Sequence, residues 1–164
     1  MSHSLPTSIR NTILPGDIGA ITQLHGVLYS REYGWPPAFE AYVAQGLASF
    51  ELDNDRALDR IWIAESDGAL IGCIAIVHIS KSVAQLRWFL VDPQGRGAGL
   101  GRRLLEQALA FCRDCRFESV FLWTVRGLDA AVHLYKSVGF HLTVEHPSDA
   151  WIRGVVEQRY DLDL

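Results

Sequence analysis

Lysine is almost missing from this chain: of the 15 basic residues in 164, only Lys81 and Lys136 are lysines and the remaining 13 are arginines. The 19 acidic residues outweigh them, for a net charge of −4. That balance argues against a general nucleic-acid binder, which carries a basic surplus. The three cysteines, Cys73, Cys112 and Cys115, cannot pair completely, which excludes a disulfide scaffold. Cys112 and Cys115 form a C-x-x-C with no second pair to complete a zinc site, and they fall late in a helical stretch rather than at a helix start. They read as packing residues, and no metal is expected. Long apolar runs are absent too; none approaches the ~20 residues of a membrane span. Met1 to Arg10 lacks a basic segment followed by an apolar one, so no secretory leader is expected. Low-complexity tracts, repeats and linker-like composition breaks are also missing. The expectation is one cytoplasmic domain over residues 1–164, with no membrane or nucleic-acid partner and a monomeric or homodimeric state.

The patterns that are present describe mixed α/β order. Residues 8–13 read as a short strand, and Asp17 as the N-cap of a helix to about residue 30. A second helix is predicted over about 37–50. Ile61 to Glu65, the Asp67-Gly68 turn and Leu70 to Ile79 form a hairpin signal whose second arm is almost wholly apolar, as in a central strand. Residues 83–91 alternate at first and then run continuously apolar. Leu100, Leu104, Leu105, Ala108, Phe111, Cys112 and Cys115 share one helical face. A strand over 120–125, a short helix ended by Gly139, and strands over 140–145 and 154–162 close the chain. Such order is not the strict β-α alternation of a doubly wound sheet, so a dinucleotide-binding fold of that type is disfavoured.

Chemistry concentrates in residues 90–105, where an apolar strand enters a glycine-rich loop that opens directly into an amphipathic helix. This is an anion cradle: glycines allow close backbone approach, the first amides of the helix point outward without partners, and the dipole favours negative charge. Arg96, Arg102 and Arg103 add positive charge, so a phosphate or pyrophosphate is the expected guest. G-x-x-x-x-G-K-[ST] is absent, which removes a P-loop. G-x-G-x-x-G also fails, because Arg102 stands where a third glycine would follow Gly97 and Gly99, and Leu100 spoils the reading from Gly95.

Asp92-Pro93, then Arg96-x-x-Gly99-x-Gly101, then Leu104-Leu105 resemble the acetyl-CoA-binding motif of the GNAT superfamily of N-acetyltransferases. Gln94-x-x-Gly97-x-Gly99 matches the same spacing in a second register. About 30 residues on, Ala131-x-x-x-Tyr135-x-x-x-Gly139-Phe140 resembles the family's second signature. More narrowly, Arg31 to Trp35 and the rest of the chain resemble GNAT domains found fused to MarR-type regulators, here without a winged-helix part.

The resemblance implies a mixed, mostly antiparallel central sheet of about six or seven strands flanked by about four helices. It implies acetyl-CoA as acyl donor, held by Phe89, Leu90 and Val91 along the pantetheine arm and by Arg96, Gly97, Ala98, Gly99, Leu100, Gly101 and Arg102 at the pyrophosphate. An amide near Leu90 would hold the developing oxyanion, and Tyr135 would protonate the departing thiolate. The acceptor is expected to be a primary amine on a small molecule, peptide or protein, reached in a ternary complex, with Glu32, Tyr33, Trp35 and His78 as substrate-side candidates. This sequence departs from the pattern in having Leu128-Asp129 where relatives often carry Asn, and no carboxylate in Leu122 to Val125 where many place a base. His25, Glu32, His78, Glu145 and His146 are the candidate bases or relay residues. The same departures leave a rival reading, a catalytically weak CoA-binding regulatory or partner-binding module.

Overall fold

The structure is a computed structural model and describes residues 7–164; residues 1–6, part of the expected single domain, lie outside the described residues. Seven strands run in chain order as β1 (Ser8–Arg10), β2 (Arg60–Ser66), β3 (Ala69–His78), β4 (Val83–Val91), β5 (Ser119–Val125), β6 (His141–Ser148) and β7 (Val155–Asp163). Four helices join them: α1 (Asp17–Tyr33), α2 (Pro37–Asp53), α3 (Leu100–Asp114) and α4 (Asp129–Ser137). The sheet order is β1-β2-β3-β4-β5-β7-β6, and every neighbouring pair is antiparallel except β4 with β5. The mixed, mostly antiparallel sheet of about seven strands implied by the resemblance is thus present.

Each face of the sheet carries a helical layer. On one, Leu104, Leu105, Ala108 and Cys112 of α3 pack with Ile74 and Ile76 of β3 and Leu122 of β5. On the other, Ile21 of α1 and Phe39, Val43 and Leu47 of α2 pack with Ile63, Cys73 and Ala75. Central strands buried on both sides need apolar residues at every position, which is why β3 lacks alternation.

The first helix begins one residue earlier than a side-chain cap at Asp17 would allow. Gly16, in the left-handed region, is the cap, and Asp17 is the first helical residue. Its carboxylate accepts from the Leu14 amide and pairs with Arg10 at 2.6 Å, which holds its pKa below the usual range despite burial. The loop's amide is satisfied from inside the helix, so the aspartate closes the turn without capping.

The feature that positions the site is a break in β4. Its pairing with β3 runs Ala84↔His78 to Arg87↔Ala75, then resumes as Leu90↔Cys73, so one extra residue is inserted. Trp88 takes that position with φ 47°, a left-handed conformation costly for a bulky side chain. The insertion exchanges faces: Ala84 and Leu86 belong to the α3 layer, whereas Trp88 and Leu90 belong to the α1–α2 layer. Burial still alternates along the whole strand, so its continuous apolar end reflects two different cores rather than one. The Cys73 thiol donates to the Trp88 carbonyl at 3.1 Å and pins the bulge.

Candidate active site

Ahead of the bulge β4 and β5 already part. Their parallel ladder is confined to Val83↔Ser119, Ala84↔Val120 and Gln85↔Phe121, after which the two strands diverge into a wedge. The amides that face this wedge follow from the ladder. Asp92 N donates to Ile71 O, so two residues back Leu90 also turns towards β3. Alternation then directs Phe89 and Val91 the other way, into the opening. Of the amides near Leu90, where an oxyanion contact is expected, those of Phe89 and Val91 are the ones turned towards the opening. The Val91 carbonyl accepts from Arg96 Nε at 3.1 Å, which leaves the amide edge as the open one.

The loop that follows is shaped by backbone rather than side chains. Asp92 Oδ1 accepts from the Gln94 amide and starts a single 3₁₀ turn over Pro93–Gly95. Gly97 and Gly99 have φ 81° and 76°, with open space where a Cβ would be. Gly99 caps α3 without any side-chain hydrogen bond, and no acidic residue occupies the first turn. The first helical bond is Arg103 N to Gly99 O, so the amides of Leu100, Gly101 and Arg102 are left for a guest. An anion is the guest that an uncapped, acid-free helix start favours. The residues present fit a pyrophosphate.

A cavity of about 470 Å³ joins these parts. Of the sequence candidates, Phe89, Leu90, Val91, Arg96, Gly97, Gly99, Leu100, Gly101 and Arg102 line it, together with Glu32 and Tyr33; Ala98 and Gln94 do not. Of the residues that open the two overlapping registers, Arg96 lines the cavity and Gln94 does not, while the glycines of both do. The Arg96 guanidinium forms a forked pair with Glu32, at 2.7 and 3.2 Å, tying the end of α1 to the glycine loop. Arg102 reaches α4 instead, donating to Ser137 Oγ at 3.1 Å.

A second cavity of about 150 Å³ abuts the first, and Tyr29, Phe89, Leu128 and Ala131 line both. Tyr135 lines the smaller one, its ring 5.9 Å from that of Phe89. Burial pushes the Tyr135 phenol above its ordinary range, so it holds its proton at neutral pH. Trp35 lines this cavity as well, and so does His25, 3% exposed, whose Nδ1 lies 2.8 Å from the Ile21 carbonyl. A carbonyl only accepts, so Nδ1 carries the proton and Nε2 is the free acceptor. Burial lowers the pKa of His25 to about 4.

Other candidates are elsewhere. His78 pairs in register with Ala84 while Val91 pairs with Gly72, which puts His78 at the opposite end of the sheet. Seven residues of strand separate the two, roughly 23 Å at ~3.3 Å per residue. There His78 is 2.8 Å from the buried Asp59 carboxylate, which also accepts from the His78 amide. Glu145 is engaged by Arg126 and by Gln158, and the latter hydrogen bond holds its pKa low. His146 stacks on Trp123 and lies outside the lining. One carboxylate went unread: Glu157, on β7 beside Val125 of β5, is the only acidic side chain lining the smaller cavity. The available signal was its place in an alternating strand, with nothing local to separate it from Arg159 and Asp161. The thiols of Cys73 and Cys112 are pushed up to about 12 by burial, in keeping with packing roles.

Residues 22–140 match the acetyltransferase (GNAT) family. The chain belongs to this family. Among the relatives of this GNAT chain, the N-alpha-acetyltransferase RimI of Mycobacterium tuberculosis is 31% identical over 137 residues, covering 77% of this chain and 78% of that protein. N-acetyltransferase family 8 member 3 of Rattus norvegicus is 31% identical over 138 residues, covering 78% of this chain and 59% of that protein. The GNAT chain spans about half the length of several such family 8 relatives. In fold it is similar to an acetyltransferase from Streptococcus agalactiae, with a TM-score of 0.75 at 22% identity over 96% of this chain and 98% of that one. A Salmonella typhimurium structure solved with its cofactor acetyl-CoA has a TM-score of 0.72 at 19% identity, covering 96% and 94% of the two chains. Among the described residues no helix is long and apolar enough to cross a membrane, and no group of three or more potential ligand side chains could hold a metal ion.

Proposed function

We propose that this chain is an acetyl-CoA-dependent N-acetyltransferase acting on a primary amine in a ternary complex. The observation that carries the reading is the wedge itself: an amide edge, an uncapped helix start and a buried phenol converge on two adjoining cavities. Acetyl-CoA supplies a thioester whose acyl carbon forms a C–N bond with a neutral amine as the C–S bond breaks. The pyrophosphate is held by the amides of the glycine loop and the first turn of α3, and the pantetheine arm by the edge at Phe89 and Val91. One of those two amides faces the acyl oxygen and stabilises charge there, an electrostatic effect of a few kcal/mol in comparable sites. Tyr135 donates its phenolic proton to the leaving sulfur. The proton shed by the amine passes to an acceptor in the smaller cavity, where His25 Nε2 and Glu157 are the candidates.

Arg96 and Glu32 act as a brace in this reading, fixing α1 against the loop. Tyr33 and Trp35 belong to the wall between donor and acceptor, and His78 is a structural partner of Asp59. A cytoplasmic setting accords with three free cysteines. The narrower likeness to domains found with MarR-type regulators covers Arg31 to Trp35, the stretch that forms this wall, together with the rest of the chain. Calorimetry with acetyl-CoA, followed by thiol release in the presence of an amine panel, tests the proposal. Saturable binding with amine-dependent release is expected, whereas no binding at millimolar acetyl-CoA overturns it.

A further inference from the structure

Within the proposed reaction, the smaller cavity points to the kind of amine that reaches it. Its wall is aromatic to an unusual degree: Tyr29, Trp35, Phe39, Trp88, Trp123 and Trp151 all line it. At about 150 Å³ it has the volume in which an engineered apolar cavity in another protein holds a single benzene ring. Two charged residues share the lining. Arg87 lies over the Trp88 ring at 4.4 Å, its cation occupied by that face, and Glu157 is the lone carboxylate. The Glu157 side chain is 25% exposed, with His146 Nδ1 at 3.8 Å on its outer side.

One contact at the rim bears on the choice between a compact guest and an extended one. Trp151, in the connection between β6 and β7, sits 4.4 Å from Trp35 and 5.1 Å from Phe39, ring centre to ring centre. The connection between α1 and α2 is thereby joined to the β6–β7 hairpin beside the cavity. The cavity stays open to solvent on one side, and its volume of about 150 Å³ suits a compact guest better than a peptide lying across the site.

We infer that the acceptor is a small primary amine carried on one aromatic ring, its ring enclosed by the tryptophans and its ammonium held by Glu157. Ring faces favour both an aryl group and a nearby cation, and a carboxylate at the edge of an apolar cavity selects the amine end. The inference rests on the proposed acetyl transfer, because the cavity adjoins the donor site along Tyr29, Phe89, Leu128 and Ala131.

The test titrates 2-phenylethylamine into the protein saturated with CoA, followed by calorimetry and by quenching of tryptophan fluorescence. Comparison ligands are 2-phenylethanol, 1,4-diaminobutane and trialanine. The arylamine is expected to bind at least tenfold more tightly than each of the three, since charge-assisted bonds and enclosed rings each contribute about a factor of ten. E157Q should weaken arylamine binding by about tenfold and leave CoA affinity within twofold. Tighter binding of the diamine or the peptide overturns the inference, and so does equal binding of the alcohol, which needs no variant to observe. Loss of acetyl-CoA binding in the wild type would instead remove the reaction on which it depends, so the two failures are distinct.

Discussion

The two cavities are built on opposite plans. The larger owes its anion-binding end to backbone, with glycines at positive φ, an uncapped helix and a strand edge, while side chains such as Tyr33, Phe89 and Leu134 line the rest. The smaller is made by side chains drawn from α1, α2, β4, β5, α4, β7 and the loops between them. Backbone recognition depends on a short contiguous segment and suits a ligand shared by many relatives. Side-chain recognition needs residues far apart in the chain and can change with one substitution. In the proposed reaction the difference separates what would bind the donor from what would choose the acceptor.

Several substitutions break or sharpen that division, the first at the seam. Tyr135→Phe removes only a hydroxyl, and kcat should fall by about 10²–10⁴, the usual share of a positioned acid. Acetyl-CoA affinity, read by calorimetry, should stay within about twofold, because the phenol belongs to the other cavity. An unchanged kcat would remove Tyr135 from the chemistry.

Gly99→Val acts wholly on the backbone side. A β-branched residue at φ 76° carries about 1–3 kcal/mol of strain and disturbs the start of α3. Acetyl-CoA binding should weaken by roughly 10-fold or more, while arylamine binding to the CoA-free protein changes little.

His25 tests the side-chain cavity through pH. Its folded-state pKa of about 4 lies below its ordinary value of 6.5, so the unfolded chain takes up the proton first. Stability is therefore full above pH 6.5 and declines as pH falls towards 4, by at most about 1.4 kcal/mol per unit from this one group. His25→Gln should flatten that slope in thermal melts across the same window. A wild-type melting temperature flat from pH 6.5 to 4.5 would contradict the buried neutral imidazole.

The smallest effect on activity is expected at His78→Ala, which disturbs neither cavity. Loss of its contact to the buried Asp59 should cost about 1 kcal/mol in denaturant unfolding and leave kcat/KM within about twofold.

The sequence made the backbone cavity legible and the other one largely not. Residues 90–105 announce strand, glycine loop and helix in order, because local conformation there depends on which positions lack a side chain. Alternation and helical periodicity likewise located the strands and helices to within a few residues. Periodicity alone does not reveal the bulge at Trp88, since a run of apolar residues looks the same whether it faces one core or two. His78 was a misleading neighbour of the motif: at the end of a central strand, only the register tells which end. Glu157, Trp123 and Trp151 come together only when β7 inserts between β5 and β6, a pairing that no local pattern specifies.

The parting of β4 and β5 also sets a limit on thickness. Where the ladder ends at Gln85↔Phe121 the strands are one hydrogen-bonding step apart, ~4.8 Å, and a third strand between them would need twice that. A polypeptide entering the wedge is stopped by its own side chains well before the vertex. An arm without branches can travel further, using the same amides on one side only. The sheet thus holds an unpaired edge in its interior that is screened by width from the chain-to-chain pairing that threatens outer edges. The proposed donor site and a safeguard against aggregation come from the same gap.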